Sequence, residues 1–189
     1  MAAFDNKHVL PNILITGTPG TGKSSLAQLA AEKLAPKGFK YIDVTALIKD
    51  HECHEGMDEE FNSLIVDDDK LLDVMEELLT NGGCIVDYHS CDFFPERWFE
   101  LVLVMTVNTE LLYDRLIARG YDTKKVNENM ECEIMKVVLD SAKESYAEEV
   151  VQDLPSNTTE DMESNMVRIE SWIDHWVANF KENHKTDYI

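Results

Sequence analysis

"ILITGTPGTGKSS", residues 13–25, asks three different things of one short segment. It opens as an apolar run suited to a buried strand, passes through a turn dense in glycine, and runs into "SSLAQLAAEKLA", where Leu26, Leu29, Ala30 and Leu34 keep helical spacing. Strand, loop and helix follow in that order. Between them Gly17-Thr18-Pro19-Gly20-Thr21-Gly22-Lys23-Ser24 satisfies GxxxxGK[ST] at every fixed position, in the context the pattern requires. The glycines let successive backbone N–H groups turn inward around phosphate oxygens, and the following helix adds its N-terminal partial positive charge. Lys23 then reaches the β and γ phosphates, and the Ser24 hydroxyl ligates Mg²⁺.

Working outward, "FKYIDV" (39–44) reads as a second strand, "CIVD" (84–87) as a third, "LVLVMTV" (101–107) as a fourth and "EVVQDLP" (149–155) as the last, ended by Pro155. Residues 67–83, "DDDKLLDVMEELLTNGG", form a helix with acids at its N-terminal end and Asn-Gly-Gly as its stop. A helix over 109–119 closes at Gly120, and a polar loop, "YDTKKVNEN", is expected before one continuous helix over 129–147. The last helix carries Met162, Met166, Ile169, Ile173, Trp176, Val177 and Phe180 on one face, a stripe suited to packing on a sheet. From Thr45 to Asp67 periodicity fades into polar, acidic sequence, read as a mobile arm. Strands alternating with helices predict an α/β fold whose parallel sheet is covered on both faces, in a single domain.

At 189 residues and 44% hydrophobic content the chain buries one substantial core. Its charge is 17 − 37 = −20, spread along the chain, which argues against direct nucleic-acid binding and would attract a basic protein partner. "LVLVM" falls far short of the roughly 20 residues that span a bilayer, so no membrane role is expected, and the N-terminus lacks signal-peptide features. A soluble intracellular protein follows, and a monomer is expected. The four cysteines form no CxxC pair and are read as ordinary thiols, and His51-Glu52-Cys53-His54-Glu55 lacks the spacing of a metal site.

A second segment carries chemistry. In "VDYHSCDFFPERW" (86–98) an apolar strand ends in Asp87, and a carboxylate at a strand's carboxyl end near a phosphate loop is placed to hold the water shell of Mg²⁺. His89, two residues on, either orients a water or phosphoryl acceptor as a neutral imidazole or is a structural histidine. Of only four arginines, Arg115 and Arg119 share a helix face and form a candidate clamp for charge on the transferring phosphoryl group, with helix-end dipole complementation the competing account for Arg119. Arg97 either holds an acceptor phosphate or pairs with a nearby acid.

With the phosphate loop, "VDYHSCDFFPERW" and "DRLIARGY" (114–121) in hand, the chain resembles the adenylate kinase family, and more closely its isoenzyme 6 subfamily. The resemblance implies a P-loop NTPase fold with a five-stranded parallel core, an NMP-binding arm over about 43–66 and a short lid over about 118–128. Gly20, Thr21, Gly22, Lys23, Ser24, Ser25 and Arg119 correspond to the ATP site, and Asp87 and His89 to the subfamily's unusual Walker B element, associated there with ATP hydrolysis. It further implies transfer of phosphate from ATP to AMP, dAMP or CMP with Mg²⁺, an ATPase linked to small ribosomal subunit maturation with a basic ribosomal protein partner, and a place in nucleus and cytoplasm. Two departures concern the acceptor. Ordinary members carry Asp-Gly-Phe-Pro-Arg where Asp87 is here followed by Tyr88 and His89 with Arg97 ten residues on, and their arm arginine is replaced by Lys49, which lacks the bidentate fork.

Overall fold

The computed structural model describes residues 8–58 and 63–183. Residues 1–7, which begin the stretch 1–12 read for a signal peptide, residues 59–62 of the expected arm and residues 184–189 lie outside them. Strands β1 (Ile13–Thr16), β2 (Lys40–Asp43), β5 (Cys84–Asp87), β6 (Leu101–Thr106) and β7 (Val151–Pro155) form one parallel sheet in the order β2-β5-β1-β6-β7. The three central strands are apolar runs without polar alternation, as a sheet covered on both faces demands. The pleat then sorts neighbours. Ile13 and Ile15 join α1 (Lys23–Leu34) and α7 (Thr159–Asn183) in one core, through Leu26, Ala30, Met166, Ile169 and Ile173. Leu14, Val86, Val102 and Val104 face the opposite layer, where α3 (Asp68–Leu79) supplies Leu71 and Met75 and α6 (Val137–Ser145) supplies Leu139 and Ala142.

The arm is more ordered than its sequence suggests. Asp43 ends β2 and caps α2 (Val44–Asp50), its carboxylate accepting from the Ala46 N–H at 3.0 Å. Val44, Ile48 and Cys53 are buried against the core, and β3 (His54–Asp58) pairs antiparallel with β4 (Ser63–Val66), Met57 opposite Leu64. The faded periodicity therefore hides a short helix and a hairpin, elements too brief to build a repeat and held by pairing across the turn.

The polar loop expected at 121–129 is likewise corrected. Asp122 accepts from the Lys125 N–H at 2.8 Å and starts α5 (Thr123–Ile134) six residues before the expected helix. Val126 of α5 packs on Val107, Leu112 and Leu116 in a small core shared with α4 (Thr109–Ala118). The single helix expected over 129–147 is two, broken where Lys136 takes a left-handed φ of 55°. No helix among the described residues is long and apolar enough to cross a membrane.

Candidate active site

Everything chemical gathers at the carboxyl ends of β1, β2, β5 and β6, where ligands bind in open α/β sheets. The phosphate loop leaves β1 under tight steric control. Gly17 has φ +145°, and a β-carbon there would stand 2.6 Å from the Met105 carbonyl oxygen at the end of β6. Gly22 takes φ +93° at the cap of α1, where a β-carbon would meet the Ser156 hydroxyl at 2.9 Å. Thr21 is fully buried. Its hydroxyl and N–H both donate to the Thr18 carbonyl, so it shapes the loop from within and its side chain lines none of the cavities described below.

Three cavities lie along this end of the sheet, two of them lined by the loop. One of about 720 Å³ runs from Gly20, Gly22 and Ser25 past Arg115 and Arg119 to residues 156–160 and Met162 at the start of α7. A second of about 720 Å³ lies under the arm between Thr45, Ile48, Lys49, His54, Met57, Leu64, Val66 and the pair Tyr88 and His89. A smaller pocket of about 230 Å³ holds Lys23, Ser24, Asp43 and Asp87. It shares Arg119 with the first cavity and Thr45, Tyr88 and His89 with the second. The small pocket is the junction between the two large ones.

Asp87 sits in that junction on β5, 5% exposed, in register with Ile15 of β1 and with Asp43 of β2. One carboxylate oxygen accepts from the Tyr41 hydroxyl at 2.9 Å, while Oδ1 is buried with no protein partner. A buried acceptor left unmatched is costly, and in a pocket that Ser24 also lines it suits a hydrated divalent cation. These residues fit Mg²⁺. Burial lowers the Lys23 pKa from its ordinary 10.5; Asp87 and Asp43 oppose the shift, and Arg119 adds to it. Entry of an anion into the pocket would push this pKa back up.

Tyr88 explains how Asp87 and His89 come to the mouth. Its ring is buried and packs edge-on to Phe93 with centroids 5.9 Å apart, and the cluster continues through Phe94 to Trp98 and Phe99. The aromatic half of the segment is thus core, and it holds the acid and the histidine at the strand end. The His89 ring lies against Tyr88 at 4.4 Å and is open to solvent on one side. The protein packed around it, with the charge of Lys23, lowers its pKa below 6.5 against the pull of Asp87, so the ring is neutral at physiological pH.

The arginines divide. Arg115 spends its guanidinium on the carbonyl oxygens of Gly20, at 3.3 Å, and Ser156, at 2.9 Å, so it holds the loop to the turn before α7 and is not a free clamp. Arg119, exposed, is the arginine that lines the junction. Lys49 faces the arm cavity. Arg97 does not join the site: it pairs with Glu76 at 2.7 Å on the exposed flank of α3, the second of the two roles its sequence left open. The thiols are free, Cys84 is buried in β5 as expected, and no cluster of metal ligands forms among the described residues.

Sequence reasoning missed Asp43, Tyr41, Tyr121 and the turn at residues 156–158. Asp43 had a signal, being a second acid at a strand's carboxyl end; Tyr41 and the turn had none. A further miss is Glu133 of α5, whose carboxylate accepts from the Thr18 hydroxyl at 2.6 Å and from the Val107 N–H at 2.9 Å.

A phosphate loop leaving the first core strand, a strand-end carboxylate beside it and a five-stranded parallel sheet between helix layers define a P-loop NTPase fold. A family model described as an AAA domain matches residues 13–136. The chain is 48% identical over 166 residues to an adenylate kinase isoenzyme 6 homolog of Dictyostelium discoideum, covering 88% of this chain and 93% of that protein. It is 51% identical over 161 residues to an adenylate kinase isoenzyme 6 homolog of Caenorhabditis elegans, covering 84% and 87%. Shikimate kinase from Acinetobacter baumannii in complex with shikimate shares the fold, with a TM-score of 0.59 at 16% identity over 87% of this chain and 93% of that one. The chain belongs to the adenylate kinase isoenzyme 6 family and is a nucleotide kinase.

Proposed function

We propose that the protein transfers the γ-phosphoryl group of ATP to AMP, with dAMP or CMP as further acceptors. The observation that carries this reading is the junction pocket, which joins the phosphate-loop cavity to the arm cavity through Arg119 on one side and Thr45, Tyr88 and His89 on the other. ATP enters along the loop, its phosphates meeting the loop N–H groups and Lys23. Ser24, and Asp87 through water, would hold Mg²⁺, which when bound would supply neutralising charge to the phosphates. Lys49 draws the acceptor phosphate toward the junction as a single point charge, giving modest acceptor affinity. An acceptor phosphate oxygen attacks the γ-phosphorus in line, the bond to the β–γ bridging oxygen breaks, and Arg119 stabilises charge on the equatorial oxygens. Inward movement of the arm and of the short lid at 118–128 excludes water, which would otherwise take the phosphoryl group.

His89 favours a second activity on the same site. A neutral imidazole beside Lys23 and Asp87 is suited to orienting a water, so we also propose ATP hydrolysis, acting as a nucleotide switch for a basic small-subunit ribosomal protein in nucleus and cytoplasm. The net charge of −20 suits such a partner. One assay separates the two: ATP turnover with Mg²⁺, with and without AMP, reading ADP and inorganic phosphate together. Two ADP per ATP consumed, with little free phosphate and only when AMP is present, is expected. One ADP and one phosphate per ATP, indifferent to AMP, would overturn the kinase reading in favour of the switch.

A further inference from the structure

Glu133 stands where helix energetics alone would not put a carboxylate. It is the penultimate residue of α5, at the end where the helix dipole is negative and disfavours an anion. Its two oxygens reach across to separate elements: Oε2 accepts from the Thr18 hydroxyl at 2.6 Å, and Oε1 accepts from the Val107 N–H at 2.9 Å. Thr18 follows Gly17 in the phosphate loop and is 1% exposed, so this bond is made behind the loop, away from the cavities. Its carbonyl in turn receives the hydroxyl and N–H of Thr21. Val107 directly follows β6, the strand whose Met105 carbonyl crowds Gly17. One carboxylate thus joins the loop and the strand beside it to a helix that starts at Thr123, in the lid.

We propose that Glu133 is a positioning residue for the phosphate loop, setting the conformation in which the loop's N–H groups converge on ATP. The proposal rests on the reading of that loop as the ATP site. The contact spans 115 positions of sequence, so it forms only in the folded chain and holds the far end of the lid helix to the loop. Loss of the bond frees Thr18 to turn its hydroxyl toward other partners, and the loop must then be ordered by ATP itself, at a cost in affinity.

The test is equilibrium binding of Mg-ATP, and separately of AMP, to the full chain by titration calorimetry, for Glu133→Ala, Glu133→Gln, Thr18→Val and the double variant Glu133→Ala with Thr18→Val. Thr18→Val, which removes the bond to the loop, and Glu133→Ala, which removes that bond and the one from the Val107 N–H, are each expected to weaken ATP binding at least about tenfold, with AMP affinity unchanged. The double variant is expected to be no more than about twofold worse than Glu133→Ala, because the bond that Thr18→Val removes is already lost with the Glu133 carboxylate. Glu133→Gln should stay within about threefold of the parent, since an amide accepts from the Val107 N–H and donates to the Thr18 oxygen. Unchanged ATP affinity in either single variant, additive losses in the double, or AMP affinity falling in step with ATP affinity would overturn the proposal. Thr18→Val keeps the side-chain shape and carries the test should Glu133→Ala not fold. A parent chain that binds ATP yet makes no ADP from AMP would defeat the kinase reading and leave this one standing.

Discussion

His89 concentrates the chemistry of the junction in one side chain. Burial and the positive charge of Lys23 both disfavour the imidazolium, and Asp87 only partly offsets them, so protonation requires a pH below the ordinary 6.5. If the neutral ring orients the attacking water, AMP-independent ATP hydrolysis should fall on acidification with a midpoint below 6.5. A decline centred above 6.5 in a phosphate-release assay would remove the neutral ring from that role. Arg97 and Arg115 teach a different lesson. Arg115 was legible as a cation near phosphate and Arg97 as either that or the partner of an acid, yet one holds two backbone carbonyls and the other pairs with Glu76, because a guanidinium takes whichever acceptors the fold brings closest.

Helix α5 shows how a short polar cap redefines an element. Its first turn lacks a clear apolar stripe and reads as loop, but the Asp122 carboxylate satisfies the Lys125 N–H and Val126 docks into the small core with Leu112 and Leu116. Asp122→Ala should cost about 1 kcal/mol locally, seen as faster amide exchange at residues 124–127 with little change in exchange of the central strands. Unaltered exchange there would mean that packing of Val126 and Met130 alone holds the turn. The strands needed no such help to be found. β1, β5 and β6 are continuous apolar runs, a local pattern that survives without knowledge of any neighbour, whereas the arm hairpin is held by pairing between β3 and β4 and leaves no periodic trace.

Net charge acts on the protein entire. With −20 spread over 189 residues, and ion pairs such as Lys37 with Asp174 and Arg97 with Glu76 lying in solvent, repulsion among carboxylates outweighs attraction. Raising monovalent salt from about 0.05 to about 0.5 M should therefore raise the thermal unfolding midpoint, as screening weakens that repulsion. A midpoint that falls with salt would mean that attractive pairs dominate. The parallel sheet, the phosphate loop and the strand-end acid were all readable from residues close together in the chain, since apolar runs, glycine spacing and helix periodicity are local properties. The junction pocket was not. It joins residues from the phosphate loop, the arm, the end of β5 and the lid, which only the order β2-β5-β1-β6-β7 brings together. The Thr18–Glu133 bond likewise depends on where α5 comes to rest. Hydrogen-bond partners are chosen by distance in three dimensions, and chain folding, not spacing in sequence, decides that distance.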